Sequence, residues 1–384
     1  MYKYLKFYIT PLLFAVLLPM VFLGGAWLWF PVLAITLIMV VGDAISGDDY
    51  STPEYKYPKL LNIPLYLTLP VCLVGLAILA WYSQSGKDDF LMIGTLMQNL
   101  TGIDVFQARE NTQWYHLIGG AISIGFLTGG YGINVGHELT HRTWDKMAWI
   151  WGRWILATAN TTDFSLEHVY GHHETVGTMV DPATARRGEN VYKFIVRSWW
   201  GSNKNAWKME KERLKKKGLP VISPYNQVIR GHLMSLTFVA IFYYAGGWVG
   251  VALYMLQATW ARTLLEIVNY MEHYGLVRVP GAPVEPKHSW NTNKRMSSLI
   301  LFSLTRHSAH HEKGDLPFWV LNPYPEAPEM PFGYLTTIYV CMIPPLWYKV
   351  INPKLKEWDE KYASPEELKL LEEYYKKYNI KMAA

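Results

Sequence analysis

Nine of the twelve histidines carry the chemistry of this chain by their spacing. His137-Glu138-Leu139-Thr140-His141 is an H-E-x-x-H string. On a helix such a string places two imidazoles on one face to bind zinc, with the glutamate activating a water molecule for peptide hydrolysis. Two further clusters follow, "EHVYGHH" with His168, His172 and His173, and "RHSAHH" with His307, His310 and His311. His273 stands alone in "NYMEHYGL". Neutral imidazole suits iron, zinc, copper and nickel. Nine imidazoles exceed what one four-coordinate zinc accepts, but they can supply two metal ions with four or five ligands each. A membrane zinc metalloprotease using HELTH would leave six clustered histidines without a role. A single H-x-x-x-H pair is a frequent accident of sequence; three clusters in one chain are not.

The elements that must position these groups are read from hydropathy. Half of the 384 residues are hydrophobic and 17% are charged, against roughly 25% in soluble domains. Phe7 to Val41 holds no charged residue. As helix it would be roughly 50 Å long, too long for one crossing of a ~30 Å hydrocarbon core. Gly24-Gly25 divides it into two predicted helices, 7–24 and 26–42. Leu60 to Gly86 and Thr112 to Gly136 give a third and a fourth. Gly231 to Ala261 is again too long for one crossing, and Gly246-Gly247 divides it into a fifth and a sixth, the latter running on through Arg262 and Glu266. Those two charges lie four residues apart, where they can pair. The stretch 84–111 is expected as a loop. Phe332–Ile351 is apolar but broken by Pro344-Pro345, and is expected at the interface and not across the membrane. "SPEELKLLEEYYKKY" from Ser364 reads as an amphipathic helix with a serine N-cap. No removable signal peptide is expected.

Six crossings put both termini on one side. Lys3, Lys6, Lys56, Lys59 and the run "KMEKERLKKK" (208–217) share that side, which the positive-inside rule makes cytosolic. The net charge of +5 is therefore read as membrane orientation and not as nucleic-acid binding. All nine histidines fall on the same predicted side, although topology was assigned from charge and length alone. The expected fold class is thus all-α integral membrane: six transmembrane helices with a cytosolic histidine-rich catalytic cap. Its expected parts are 1–136 (four spans), 137–226 (first and second clusters), 227–276 (two spans ending in NYMEHYGL) and 277–384 (third cluster, interfacial segment, C-terminal helix). Two cysteines, Cys72 and Cys341, exclude a disulfide scaffold and an iron–sulfur cluster on this chain.

The extended strings "HELTHR", "EHVYGHH", "NYMEHYGL" and "LTRHSAHHEKG" resemble those of the integral-membrane di-iron alkane monooxygenases (alkane 1-hydroxylases), within the wider group of membrane desaturases and hydroxylases. The resemblance covers the chain from the first span to about residue 325. It implies two non-haem irons held by the nine histidines, O2 as co-substrate, and hydroxylation of the terminal methyl of medium- or long-chain n-alkanes. It also implies a bacterial inner-membrane protein reduced by rubredoxin and, through it, a rubredoxin reductase. The chain has no paired C-x-x-C, so rubredoxin would be a separate protein. The basic run 208–217 is a candidate contact for an acidic partner, or for lipid headgroups. In the di-iron reading Glu138, Glu167, Asp163, Glu272 and Glu312 are candidates to orient ligand imidazoles through their other N–H. Asp181, Arg186, Arg187 and Glu189 are expected to form a structural ion-pair network. An n-alkane offers only apolar area, about 0.8 kcal/mol per buried CH2; Trp27, Trp29 and Phe30 are candidate walls of its channel. A membrane fatty-acid or other hydrocarbon hydroxylase or desaturase of the same di-iron group is the alternative.

Overall fold

The computed structural model describes residues 1–378. Among these the chain is helical, with isolated bridges and no β-strand. Five helices are long and apolar enough to cross a membrane: Lys3–Leu23, Gly25–Ser46, Lys59–Tyr82, Trp114–His141 and Gln227–His273. The chain forms two compact units, Met1–Ile38, Tyr55–Ser165 and Glu210–Leu265 in the first, and Met39–Glu54, Leu166–Met209 and the residues from Glu266 in the second.

In the first unit the break between the first two spans falls where the glycine pair predicts. Gly24 (φ 74°) and Gly25 (φ 54°) both sit where L side chains are strained, and a Cβ on Gly24 would strike the Ala108 carbonyl. Trp114–His141 runs as α-helix to Phe126, as π-helix over Leu127–Ile133, and as α-helix again over Asn134–His141. Its small residues let a second backbone come close. Gly125 lies against Gln257 and Gly129 against Ala261, so two i, i+4 pairs face each other. Thr128 donates to the Gln257 side-chain oxygen at 2.9 Å, and Gln257 Nε2 donates to the Thr158 carbonyl at 2.8 Å. This satisfies polar groups that would otherwise be costly in an apolar interior. Ile133, Leu156, Ala159, Phe164, Ala261 and Leu265 close a buried apolar cluster beside them. Arg262 is ion-paired with Asp163 at 3.1 Å, both buried. The stretch 84–111, expected as a loop, folds helices over Ile93–Thr101 and Val105–Glu110; Asp104 caps the second through the Gln107 N–H at 3.0 Å.

Gln227–His273 is interrupted at Gly246 and Gly247, whose backbones leave the helical region. This is the division the sequence places there. In the second unit the end of that run is held by Trp290. Its backbone N–H donates to the Glu272 carbonyl at 2.8 Å and its indole to the Tyr274 carbonyl at 2.9 Å. Tyr270, Tyr274 and Trp347 pack at 5.0–5.8 Å between ring centroids. Phe332–Ile351 forms Tyr334–Cys341 and the start of Pro344–Lys361, and neither is among the membrane-length apolar helices. The eight residues of the former span only about 12 Å. The C-terminal helix Pro365–Tyr378 starts on a reciprocal cap: Glu367 N–H to Ser364 Oγ at 3.2 Å, and Ser364 N–H to the Glu367 carboxylate at 2.8 Å.

Candidate metal centre

In the first unit, His137 and His141 lie one turn apart on Asn134–His141, inside the membrane-length helix and not beyond its end. Their Nε2 atoms are 3.0 Å apart. The neighbouring Glu138 accepts a hydrogen bond from Arg142 at 2.8 Å, and Arg142 also donates to Asn62 at 2.8 Å. His137 packs its ring on Phe164 at 5.8 Å.

In the second unit seven imidazoles converge. His168, His172 and His173 are carried by a π-helical turn, His168–His172, closed by the His173 N–H on the His168 carbonyl. On an α-helix, residues five apart point about 140° from each other. The wider i→i+5 turn brings them round to one side, and His168 and His173 meet Nε2 to Nε2 at 3.1 Å. His173 Nε2 is also 3.0 Å from His310 Nε2. These three form one group. The other gathers His172, His273 and His311, with His307: His273 Nε2 stands 3.2 Å from His172 Nε2 and 3.2 Å from His307 Nε2. Each cluster is therefore divided, where helix-face reasoning aims it at a single point. The reason is local. Adjacent helical residues diverge by about 100°, so His172 and His173, like His310 and His311, face different groups.

Two carboxylates stand behind ligand-type imidazoles. Asp181 Oδ2 accepts from His172 Nδ1 at 2.9 Å, both groups fully buried. Glu272 Oε1 lies 3.3 Å from His307 Nδ1. Each leaves Nε2 directed at His273. Burial would lower His172; the adjacent Asp181 carboxylate outweighs it and holds the imidazole above its usual range. Burial first, then the neighbouring histidines, push His310 and His311 well below theirs, so both are neutral and keep lone pairs.

The residues present fit metal ions. Imidazole nitrogens bound about 2.1 Å from one ion and at right angles around it are about 3 Å apart, the separation seen in these pairs. His273 Nε2 carries at most one proton and cannot bond to both His172 and His307. His311 is buried with neither ring nitrogen in a hydrogen bond. Buried polar groups are seldom left so unless an ion or water completes them.

The structure brings together seven of the nine histidines that the sequence singles out, and places Glu272, also singled out, beside His307. Sequence reasoning assigned Asp181 to an ion-pair network, because nine residues of sequence separate it from His172 and no motif joins them. Arg187 and Glu189 pair outside that set, Arg187 with Asp359 at 2.6 Å and Glu189 with Arg197 at 2.7 Å, and the Arg186 N–H donates to Glu189 at 3.0 Å. Glu167 accepts from Asn205 at 3.2 Å, Asp163 holds Arg262, and Glu312 is exposed and accepts from Tyr324. Trp27 and Phe30 stack edge-on at 5.2 Å and are exposed; Trp29 lies against Gly119, where a Cβ would collide with its indole.

Membrane-length helices and a histidine-rich, carboxylate-backed centre in one chain define a class of membrane oxidoreductases. Residues 112–339, which hold all nine histidines, match the fatty acid desaturase family, and the chain belongs to it. Within it the similarity is to hydrocarbon hydroxylases. Alkane 1-monooxygenase 1 of Pseudomonas aeruginosa is 36% identical over 347 residues, 88% of this chain and 85% of its own length. Alkane 1-monooxygenase of Acinetobacter baylyi is 34% identical over 331 residues, 84% and 75%. The xylene/toluene monooxygenase hydroxylase component of Pseudomonas putida is 30% identical over 378 residues, 95% and 93%.

Proposed function

We propose that this chain is an alkane 1-monooxygenase whose nine histidines hold two iron ions. The observation that carries this is the division of seven buried imidazoles into two groups, on a chain with alkane 1-monooxygenase relatives along most of its length. The His172, His273, His307 and His311 group offers four nitrogens, the His168, His173 and His310 group three. His137 and His141 bring the count to nine. The irons, when bound, would supply reductive activation of O2 for insertion of one oxygen atom into a C–H bond. The chain's own part is to keep the imidazoles neutral and oriented. Burial keeps His310 and His311 neutral, and Asp181 and Glu272 orient His172 and His307 by holding Nδ1–H and aiming Nε2 inward. Glu138, Glu167, Asp163 and Glu312 accept from Arg142, Asn205, Arg262 and Tyr324.

The 47-residue helix broken at Gly246-Gly247 supports two crossings and so six spans. The lysines of both termini and of 208–217 support a cytosolic side for termini and catalytic cap, in a bacterial inner membrane. An n-alkane is recognised by apolar area alone, and of the three candidate channel aromatics only Trp29 turns towards a neighbouring helix. The electrons come from a separate carrier of the rubredoxin type: the two cysteines, both buried, cannot form a carrier site here.

The similarity to the xylene/toluene hydroxylase component supports a second reading, hydroxylation of methyl groups on aromatic rings. Whole cells expressing the chain with rubredoxin and its reductase decide between them. Fed octane, dodecane and p-xylene in parallel, they should release 1-alkanols from the alkanes. Benzylic alcohol alone would establish the second reading, and newly desaturated acyl chains without either alcohol would overturn both.

A further inference from the structure

The carboxylate behind His307 is itself held by a residue outside every histidine motif. We infer that Tyr334 is a positioning residue for one of the two metal subsites, acting through Glu272; this rests on the di-iron reading above. The Tyr334 hydroxyl donates to Glu272 Oε1, the oxygen that lies 3.3 Å from His307 Nδ1. Tyr334 and Glu272 are each 5% exposed, so no bulk water competes for that oxygen. Without the phenol the carboxylate keeps one fixed partner and can rotate off the imidazole.

The phenol is fixed in turn. The Tyr334 N–H donates to Ser297 Oγ at 3.0 Å. The Ser297 N–H donates to Asp43 Oδ1 at 2.8 Å, and its hydroxyl to Asp43 Oδ2. Gly333 packs on the same Asp43 carboxylate, where a Cβ would collide. A buried polar chain therefore runs Asp43, Ser297, Tyr334, Glu272, His307, from the end of the second span to a ligand imidazole. Every link is a side chain or N–H with a defined partner, and a fully satisfied buried network of this kind fixes geometry. Asp181 backs His172 in the other direction by direct contact with its own loop. The His307 arm is the one that depends on a remote tyrosine.

The test uses the full-length protein in detergent or nanodiscs, grown with 57Fe. Wild type should contain about two irons per chain. In Tyr334→Phe, one iron should be extracted by a ferrous chelator about tenfold faster than in wild type, and the Mössbauer spectrum should change in the signal of one iron site only. A merely structural tyrosine would loosen both sites together. If Tyr334→Phe does not fold, Glu272→Gln should show the same single-site change; where both fold, the double variant should show no more than either alone. Tyr192→Phe, which removes a hydroxyl that donates to the Met342 carbonyl, should leave both sites as they are. Two irons with unaltered extraction and spectra in Tyr334→Phe, or equal changes at both sites, overturn the inference and leave the di-iron reading standing. A single zinc in freshly isolated wild type overturns both.

Discussion

At the scale of single residues, what separates His172 and His307 from ordinary buried histidines is the carboxylate behind each ring. A neutral imidazole can present either nitrogen, and the hydrogen bond made by one decides what the other can do. Asp181 settles this for His172 and Glu272 for His307. Asp181 also accepts from the Ala183 N–H at 3.0 Å and from the Thr184 hydroxyl, so its carboxylate cannot swing away. Asp181→Asn keeps the volume but removes the charge and one of the two acceptor oxygens. Iron affinity should fall by about 10- to 100-fold, read by competition with a chelator, while the circular dichroism stays that of the parent. An unchanged affinity would mean that Asp181 serves only its loop. As the second residue of HELTH, Glu138 invites the role of a protease base, yet its observed partner is Arg142, and the metal reading assigns it no bond-breaking task.

At the scale of elements, the backbone departs from the ideal helix where chemistry requires it. The sequence pattern H-x-x-x-H-H has spacings of four and five, and an α-helix can align only the first of these. The π-turn at His168–His172 resolves the conflict by adding one residue to the turn. A second π-helical stretch, Leu127–Ile133, precedes the HELTH helix. The packing of Trp114–His141 on the long helix is equally exacting. Gly125 meets the Gln257 carbonyl with no space for a methyl group, and Gln257 is tied to Thr128 and Thr158 and cannot move freely. Gly125→Ala should destabilise by about 1–3 kcal/mol through overpacking, seen as a lower melting temperature in detergent. Gly47→Ala, at a position with open space around it but a positive φ, separates crowding from backbone strain.

At the scale of the whole molecule, the described C-terminal residues close the second unit without contributing a motif. Trp347 and Trp358 are fully buried, and Glu367 receives His288 at 2.7 Å and Lys287 at 3.0 Å. Burial alone would raise Glu367; its bonds to His288, the Ser364 N–H and Lys287 overrule this and hold it down to about 2, below its ordinary 4.5. The folded form thus binds the proton less well than the unfolded form. This contribution is complete above about pH 4.5 and is lost as pH falls towards 2. Limited acid-protease digestion should release the C-terminal helix progressively over that window in wild type. In Glu367→Gln the release should already be high at pH 4.5 and change little below it.

By itself the sequence determined the class of the molecule and its chemistry. Uncharged runs of membrane length and paired glycines mark the spans and their breaks because a bilayer penalises charge and unpaired backbone over a fixed thickness. The histidine strings declare metal binding because ligand atoms must come from a few residue types at helical spacings. Tertiary structure decided how those imidazoles group. Which imidazole joins which group follows from 100° steps and from a π-turn that no composition signals. The partners of His172 and His307 come from other segments: Asp181 lies nine residues from His172, Glu272 thirty-five from His307, and Tyr334 more than sixty from Glu272. Such partners meet only after the chain has folded, since hydrogen bonds are set by distance in space and not by order in the sequence.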